Sequence, residues 1–472
     1  MMVHQEDSWT RISTKIMRVS LPLMGSMTGN LLMMVIDRLC LARYSESTLE
    51  ASGPAIFTAM TIIAFFSSTV AIYRSFVAQA WGRDGEEAAI NEGSAGMITG
   101  LIAGLILMLL SPLIAQIPEM SNRSAVSIAL ESQYLFIAAY FGAFMVFNVS
   151  LASWFNGTGR TRATFFVGLV GQVCDIIFTV GLTFGKFGLP EMGMRGSAAG
   201  TLIASLIMSC LYLYLLPREL YKQLGRMLSG RVKGILSMTL FRLRRGYISG
   251  LTNGIDELGN TAFVWIAGIL GSVALAANNV NLTINYMAII PVIGLGIGCS
   301  ILCGNAVGAG RYHHLQRILL VTLVIELCYV GLVAVIQVGF PELLMSLFGL
   351  SHDSEAIYTL AIDTEKVLWT YSFTFVFSMT GSAVLECLGM TRFMFWIRFL
   401  MMWGLSVPLI YYTARHYEDA PETLITLWII GSVFELFIGV VYFLRIFKAI
   451  KNKENQLVQH GFEVKEKTHV QG

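Results

Sequence analysis

Long apolar stretches separated by short polar ones run through most of this sequence. A helix needs about 20 mainly apolar residues to cross the hydrocarbon core of a bilayer, and twelve stretches are of that length. Because every backbone group must be satisfied inside hydrocarbon, each stretch predicts a transmembrane helix, and the fold class that follows is an all-α membrane protein. The predicted spans lie near residues 17–42, 53–80, 94–116, 130–155, 162–185, 195–216, 246–270, 279–306, 318–340, 359–388, 393–414 and 424–447.

The composition supports a membrane protein. Of 472 residues, 55% are hydrophobic and 13% are charged, whereas a soluble domain carries about 25% charged residues. The 32 Lys and Arg nearly balance the 30 Asp and Glu, which argues against a basic nucleic-acid-binding protein and against an acidic disordered chain. We therefore expect a lipid bilayer, and no nucleic acid, among its partners.

Lys and Arg are distributed unevenly between alternate loops. If the N-terminus is cytoplasmic, 25 of the 32 Lys and Arg fall in cytoplasmic segments, in agreement with the positive-inside rule. The N-terminus is too charged for a cleaved signal peptide. We expect a multi-pass protein of the cytoplasmic (inner) cell membrane with both ends in the cytoplasm, acting as a monomer.

A basic loop without a long apolar stretch divides the spans six and six. No segment is long enough for a soluble catalytic or nucleotide-binding domain, and the motifs GxxxxGK[ST], HExxH and GxSxG do not occur. We therefore expect neither an enzyme nor an ATP-driven pump. The predicted parts are a cytoplasmic N-terminus (1–16), an N-terminal six-helix lobe (17–216), a cytoplasmic linker (217–245), a C-terminal six-helix lobe (246–447) and a charged cytoplasmic tail (448–472).

Two short motifs recur in the second half of the chain. Residues 79–83 (QAWGR) after the second span match 305–309 (NAVGA) after the eighth at an offset of 226. Residues 159–162 (GRTR) after the fourth span match 389–392 (GMTR) after the tenth at an offset of 230. The matches agree in order, offset and membrane side. They predict a parallel internal repeat, an organisation found in transporters that hold their substrate between repeated bundles.

Carboxylates inside predicted spans are candidates for function, because a charge at the centre of a bilayer costs about 2.5–3.5 kcal/mol on insertion scales. Asp37 lies in the first span and Asp175 in the fifth. Oxygen ligands suit a sodium ion and a buried carboxylate suits proton uptake, so either cation could bind there; we expect no other cofactor. Four further residues could complete a polar pocket: Asn30 on the helix face of Asp37, Thr179 one turn after Asp175, Gln172 and Asn148.

The second half carries acids in four of its spans. Asp256 and Glu257 are adjacent in span seven, so at most one of them faces a cleft squarely. Glu386 lies close to a predicted cytoplasmic turn, which favours a gate or a structural ion pair, whereas Glu326 and Glu435 could pair between helices. Span eight opens with asparagines that could line a polar surface or cap the helix: Asn278, Asn279, Asn281 and Asn285.

Arg38 directly follows the acid of the first span. Consecutive helix residues point about 100° apart, so a direct contact between Asp37 and Arg38 is not assured. Three interpretations remain open: Arg38 reaches the outer interface, neutralises an acid in the lobe, or binds an anionic group.

Several stretches together resemble one family. They are Leu21-Pro22, Asp37, QAWG at 79–82, GTGRT at 157–161, GKFGLPEMG at 185–193 and GNAVGAG at 304–310. In these stretches the chain resembles the multidrug and toxic compound extrusion (MATE) family, from about Ile16 to Phe447. The resemblance implies an antiporter that exports bulky, often cationic or aromatic compounds in exchange for sodium ions or protons. It also implies two six-helix lobes that form a V with a central cleft, open alternately to each side.

The resemblance also assigns roles to particular residues. Asp37 matches the acid of span one that couples transport to a cation. Asp175 stands where the family commonly has Asn, and Thr179 where several members have a second acid. Two positions of the family's substrate cleft have matches here. Either Asp256 or Glu257 matches an acid of span seven, and Asn279 matches a polar position of the C-terminal lobe. Two positions depart from the family: Arg38 replaces a small or neutral residue, and Phe377 falls near an acid of span ten.

Two other functions remain as alternatives. A flippase for lipid-linked oligosaccharides has a related architecture, but its cavity tends to carry several Arg or Lys for pyrophosphate. The intramembrane charges of this chain are chiefly acidic, and Arg38 is the exception that keeps the flippase open. A non-transporting membrane receptor or scaffold is a second alternative, disfavoured because the chain carries no appended signalling domain.

Overall fold

The structure is a computed structural model that describes residues 9–120, 124–228, 235–347, 355–418 and 420–469. In these ranges the regular elements are all helices. They are α1 (Trp9–Tyr44), α2 (Glu46–Ala71), α3 (Tyr73–Asp84), α4 (Glu86–Leu109), α5 (Ser111–Ile114), a 3₁₀ turn (Ile117–Met120), α6 (Ala125–Gly157), α7 (Thr161–Phe184), α8 (Met194–Leu215), α9 (Arg218–Leu228), α10 (Ile235–Ile269), α11 (Ser272–Gly308), α12 (His313–Gly339), α13 (Pro341–Leu347), α14 (Glu355–Cys387), α15 (Thr391–Phe399), a π-helix (Leu400–Ser406), α16 (Val407–His416) and α17 (Thr423–His469).

The predicted spans coincide with these helices, which confirms the all-α membrane fold. Three of the spans fall on α1, α10 and α14, which are 36, 35 and 33 residues long. Within the described residues, nine further stretches are long and apolar enough to cross a bilayer. These are Ala51–Asp84, Glu86–Leu109, Ala125–Gly157, Thr161–Phe184, Met194–Leu215, Ser272–Gly308, His314–Gly339, Thr391–His416 and Thr423–Asn452.

The chain divides into two compact units. One contains Leu21–Leu258, and the other contains the chain up to Ser20 together with Gly259–Gly472. Both divisions fall inside helices, α1 and α10. The domain limits given above therefore stay predictions.

Helix α10 begins within the predicted linker, earlier than the apolar pattern indicates. The helix continues through Arg242, Arg244 and Arg245, and the contacts of Arg242 show how one of these charges is accommodated. The Arg242 guanidinium pairs with Glu92 of α4 and lies 5.6 Å from the ring centre of Phe76, a cation–π contact. The linker also contains α9, and α17 continues through most of the predicted tail, whose Lys, Glu and Gln are good helix formers.

In the Leu21–Leu258 unit, α7 and α8 pack closely because small residues let their backbones approach. A Cβ added to Gly200 of α8 would lie 2.6 Å from the backbone nitrogen of Thr179, and one added to Gly196 would lie 2.3 Å from the carbonyl oxygen of Leu182. Small residues at such contacts are the usual device for packing helices in lipid. The packing fixes Thr179 against α8.

In the other unit, α11, α14 and α17 surround an aromatic core. Trp428 of α17 is 4% exposed and makes edge contacts with Phe263 and Tyr371, at centroid distances of 4.8 and 5.4 Å. Its indole nitrogen donates to Oδ1 of Asn278 on α11, at 3.1 Å. A buried indole N–H usually finds such a partner, so Asn278 at the start of α11 contributes to packing.

The repeated motifs that end spans four and ten form the same turn. Gly159 and Gly389 both have positive φ, 76° and 73°, a conformation that favours glycine. In each turn the next residue's N–H bonds back five residues: Arg160 to Phe155 at 2.7 Å, and Met390 to Leu385 at 2.9 Å. These turns, 230 residues apart in sequence, agree in geometry as the parallel repeat predicts.

The close packing of α7 on α8 gives a test of stability. We expect Gly200→Ala to destabilise the protein by about 1–3 kcal/mol, since the new methyl group overlaps the Thr179 backbone. A lower melting temperature of the detergent-solubilised protein would report the effect. The matched control is Gly53→Ala in α2, where a Cβ meets nothing within 4 Å and helix propensity improves. Equal melting temperatures for the two variants would contradict the close contact.

Candidate functional site

Two acids and a threonine form the core of the candidate site in the Leu21–Leu258 unit. Asp175 and Thr179 of α7 are both fully buried, and Asp37 of α1 is close enough to Asp175 for their charges to interact. Both carboxylate oxygens of Asp175, Oδ1 of Asp37 and the Thr179 hydroxyl are buried without a hydrogen-bond partner. Unsatisfied buried oxygens of this kind are costly unless something binds them.

Residues of two more helices line the acids. The Thr201 hydroxyl of α8 lies beside the Asp175 carboxyl but donates to the carbonyl of Ser197, at 3.3 Å. Tyr134 of α6 is 5% exposed and interacts electrostatically with both acids. The site is therefore enclosed by α1, α6, α7 and α8.

Gln172 holds α1 against α7 next to the site. Its amide nitrogen donates to the carbonyl of Ser26, at 2.9 Å, and its side chain occupies the space where Gly29 would carry a Cβ. Asp175 follows Gln172 by less than one turn. Gln172 thus positions the helix that carries Asp175, and its amide is engaged by the backbone of α1.

Asn148 is held by hydrogen bonds between α6 and α8. Its side chain donates to the carbonyl of Ser205, at 2.9 Å, and accepts from Ser209, at 2.7 Å, which ties α6 to α8. Its predicted contribution to the polar pocket therefore stays a prediction.

The side chains of Asn30 and Arg38 lie outside the described part of the structure, although both belong to α1. The predicted contribution of Asn30 to the pocket therefore stays a prediction. The three interpretations of Arg38 remain open as well.

The residues predicted to line a substrate cleft fall in different units. Asp256 and Glu257 of α10 are half-buried and belong to the Leu21–Leu258 unit, whereas Asn279 of α11 is exposed and belongs to the other. A cleft that contains all three stays a prediction.

Glu386 is half-buried next to the last residue of α14, close to the turn at Gly389. Its role as a gate or structural group stays a prediction.

Both remaining acids contact a neighbouring helix, but among the described residues only Glu435 forms an ion pair. Glu435 of α17 accepts from the Arg398 guanidinium at 2.9 Å and from the Ser378 hydroxyl. Glu326 of α12 is fully buried and accepts a hydrogen bond from the Thr380 hydroxyl of α14. Glu435 is thus a charged partner in an ion pair, whereas the hydrogen-bond partner of Glu326 is a neutral hydroxyl.

The sequence analysis missed a buried acid, Glu365 of α14. Its exposed neighbours Asp363 and Lys366 pair with each other at 3.0 Å, and such a charged cluster is typical of a membrane interface. Glu365 itself is fully buried and accepts from the Gln337 amide of α12, at 2.8 Å. Helical spacing could have revealed it, since Glu365 shares one face with buried Ala361 and Leu368.

Membrane-length helices that enclose buried carboxyl groups define the class of multi-pass membrane transporters. The MatE family model matches this chain over residues 22–180 and again over 249–412. More than half of the chain is matched, in two segments that repeat one another. The chain belongs to the MatE family, as its motifs predicted.

Relatives and solved structures agree with this assignment. The probable multidrug resistance protein NorM of Thermotoga maritima is 23% identical over 417 residues, 86% of this chain and 87% of that protein. A MOP superfamily transporter from Pyrococcus furiosus has a TM-score of 0.83 at 19% identity and covers 94% of this chain and 97% of its own. A mutant of the Vibrio cholerae MATE transporter VcmN has a TM-score of 0.82 at 16% identity, with coverages of 95% and 99%. These similarities show a shared fold.

The Arg398–Glu435 pair gives a test of which charges are structural. Removing one partner leaves a buried charge unpaired, so we expect Arg398→Met to destabilise the protein by about 3–5 kcal/mol. The measurement is thermal unfolding in detergent. The control is Arg415→Met, which breaks a pair with Glu418 whose side chains are 52% exposed on both sides and which should cost about 0–1 kcal/mol. If Arg398→Met leaves the melting temperature unchanged, the buried pair has no structural role.

Proposed function

We propose that this protein is a secondary active antiporter that exports bulky, often cationic or aromatic compounds. In exchange it takes up sodium ions or protons by alternating access. Membership of the MatE family and similarity to a probable multidrug resistance protein support export of drugs or toxic compounds. The observation that carries the coupling proposal is the pair of acids, half-buried Asp37 and fully buried Asp175, which interact electrostatically and have buried oxygens without hydrogen-bond partners.

The chemistry of this pair suits a reversible cation site. Two carboxylates held close together in a medium of low dielectric repel each other and lack hydration. A proton or a sodium ion removes the repulsion, and the unpartnered Thr179 hydroxyl offers one more oxygen ligand. The empty state is costly and the occupied state is favoured, so loading and unloading the cation can change the packing of α1 and α7.

Coupling between cation and drug follows from linkage. If a bound cation lowers the affinity for the exported compound, the compound must lower the affinity for the cation by the same factor. A downhill cation gradient then drives release of the compound on the outer side. Each tenfold gradient supplies about 1.4 kcal/mol at zero membrane potential. Such coupling needs no nucleotide hydrolysis.

The proposed setting is the cytoplasmic membrane, with both chain ends in the cytoplasm, as the distribution of Lys and Arg favours. The protein would act as a monomer, because each six-helix half supplies its own interior. Asp256, Glu257 and Asn279 are the proposed contacts for the exported compound.

Replacing either acid tests the coupling site. We expect Asp37→Asn and Asp175→Asn each to reduce ion-driven dye efflux at least tenfold, since the amide cannot carry the charge that a cation neutralises. Transport is measured as fluorescent dye accumulation in everted vesicles. The control is Asp84→Asn, which removes an acid that is 56% exposed. Undiminished efflux in Asp37→Asn would exclude this acid from coupling.

Separate ion gradients test the exchange itself. We expect a sodium or a proton gradient, imposed alone across vesicles that lack ATP, to accelerate dye transport at least severalfold in the wild type. The same gradient should give no acceleration in the Asp37→Asn/Asp175→Asn double variant. If neither gradient affects transport in the wild type, secondary antiport is wrong.

A further inference from the structure

The strongest unassigned feature of the structure is a group of buried oxygens around Glu365. One oxygen of its carboxylate accepts from the Gln337 amide nitrogen, at 2.8 Å, and the other, Oε2, has no partner. Gln337 is 1% exposed and Glu365 is fully buried. Because Gln337 uses its nitrogen on Glu365, its own Oε1 points away from that bond, and this oxygen also lacks a partner.

Two neighbouring residues add further oxygens. Asn281 of α11 donates to the carbonyl of Ala361, at 3.1 Å, which lies one turn before Glu365 on α14. The remaining oxygen of the Asn281 amide is buried without a partner, and so is the hydroxyl of Thr364. Helices α11, α12 and α14 thus bring a carboxylate, two amide oxygens and a hydroxyl to one stretch of the bundle.

The charge of Glu365 is not balanced by the basic residue next to it. Lys366 follows in sequence, but its ammonium bonds Asp363, at 3.0 Å, on an exposed face. The Gln337 amide is a neutral partner. A buried carboxylate with neutral partners is unfavourable unless a proton or a cation neutralises it.

A proton alone would leave most of these oxygens unsatisfied. Protonated Glu365 supplies a single hydrogen, which can serve one of the two acceptor-only amide oxygens, Oε1 of Gln337 or Oδ1 of Asn281. A metal cation instead accepts several oxygens at once. One carboxylate balances one positive charge, so a monovalent ion fits and a divalent ion would leave an excess positive charge in the interior.

We propose that Glu365, Gln337, Asn281 and Thr364 form a second cation site, which binds a monovalent alkali ion of the size of sodium. The site lies in the unit that contains Gly259–Gly472, whereas Asp37 and Asp175 belong to the other unit. It is therefore made of other residues than the coupling pair and goes beyond the proposed exchange reaction. Glu365 would supply the charge, and the two amide oxygens and the hydroxyl would select a hard cation.

Binding of ²²Na⁺ to the purified full-length protein tests this site without relying on transport. The Asp37→Asn/Asp175→Asn background removes the first pair of acids. We expect this double variant to retain one saturable sodium ion per chain. Adding Glu365→Gln should weaken the remaining sodium binding at least tenfold. The control is Asp363→Asn, which changes an exposed acid two residues away and should leave sodium binding unchanged.

Sodium-dependent thermal stability supplies a second readout, because a ligand that binds the folded state raises its stability with concentration. In the double-variant background, replacing choline chloride by sodium chloride at constant ionic strength should raise the melting temperature. Gln337→Met, which keeps the charge and the volume but removes the amide oxygen, should shift the required sodium concentration upward about tenfold. If Glu365→Gln does not fold, Gln337→Met still tests the site.

The outcomes separate this proposal from the coupling site. If the double variant binds no sodium, or if Glu365→Gln binds it as tightly as before, no alkali ion site exists at Glu365. Neither result bears on dye efflux through Asp37. Conversely, efflux that survives Asp37→Asn would exclude the coupling proposal and leave sodium binding at Glu365 intact.

Discussion

The cost of holding a carboxylate in a dry interior governs the chemistry of this molecule. In water a carboxylate is solvated, but inside a helical bundle its charge must be met by a partner, a proton or a cation. Asp37 and Asp175 interact electrostatically inside one unit and leave several oxygens without partners. An interior of this kind favours cation binding, and the affinity can change when the helices around it shift.

Close helix packing encloses these oxygens. Gln172 fills the space over Gly29, so α1 lies directly on α7, and Gly200 allows α8 to approach Thr179. These contacts fix the helices that surround the site. The oxygen atoms of the acids are then the groups that can bind a cation. The same feature makes the site sensitive, because a movement of α1 or α8 changes the distances between oxygens directly.

The sequence predicted the helices well, but it did not reveal which side chains of each helix face the core. Hydropathy located the spans because backbone satisfaction in lipid demands long helices, and the turns at Gly159 and Gly389 revealed the repeat. The hydrogen bonds of Asn148 with Ser205 and Ser209 depend on how α6 meets α8, which hydropathy does not give. Glu365 was missed because Asp363 and Lys366 make its segment resemble an interface, although its own side chain faces the core. The face that a helix turns toward the core depends on tertiary packing, which the hydropathy pattern of a single segment does not give.

The buried acids of this chain differ in what neutralises them, and we propose that this difference separates structural from functional roles. Glu435 has Arg398 as a permanent counter-ion and a hydroxyl donor besides, so its charge is satisfied in every state that keeps the pair. The carboxyl groups of Asp175 and Glu365 are fully buried with unpartnered oxygens, and their described contacts with Thr201 and Gln337 are to neutral groups. An acid whose counter-charge belongs to the protein can only be structural. An acid whose counter-charge must come from solution makes stability depend on an ion, and an ion gradient can then do work on the fold.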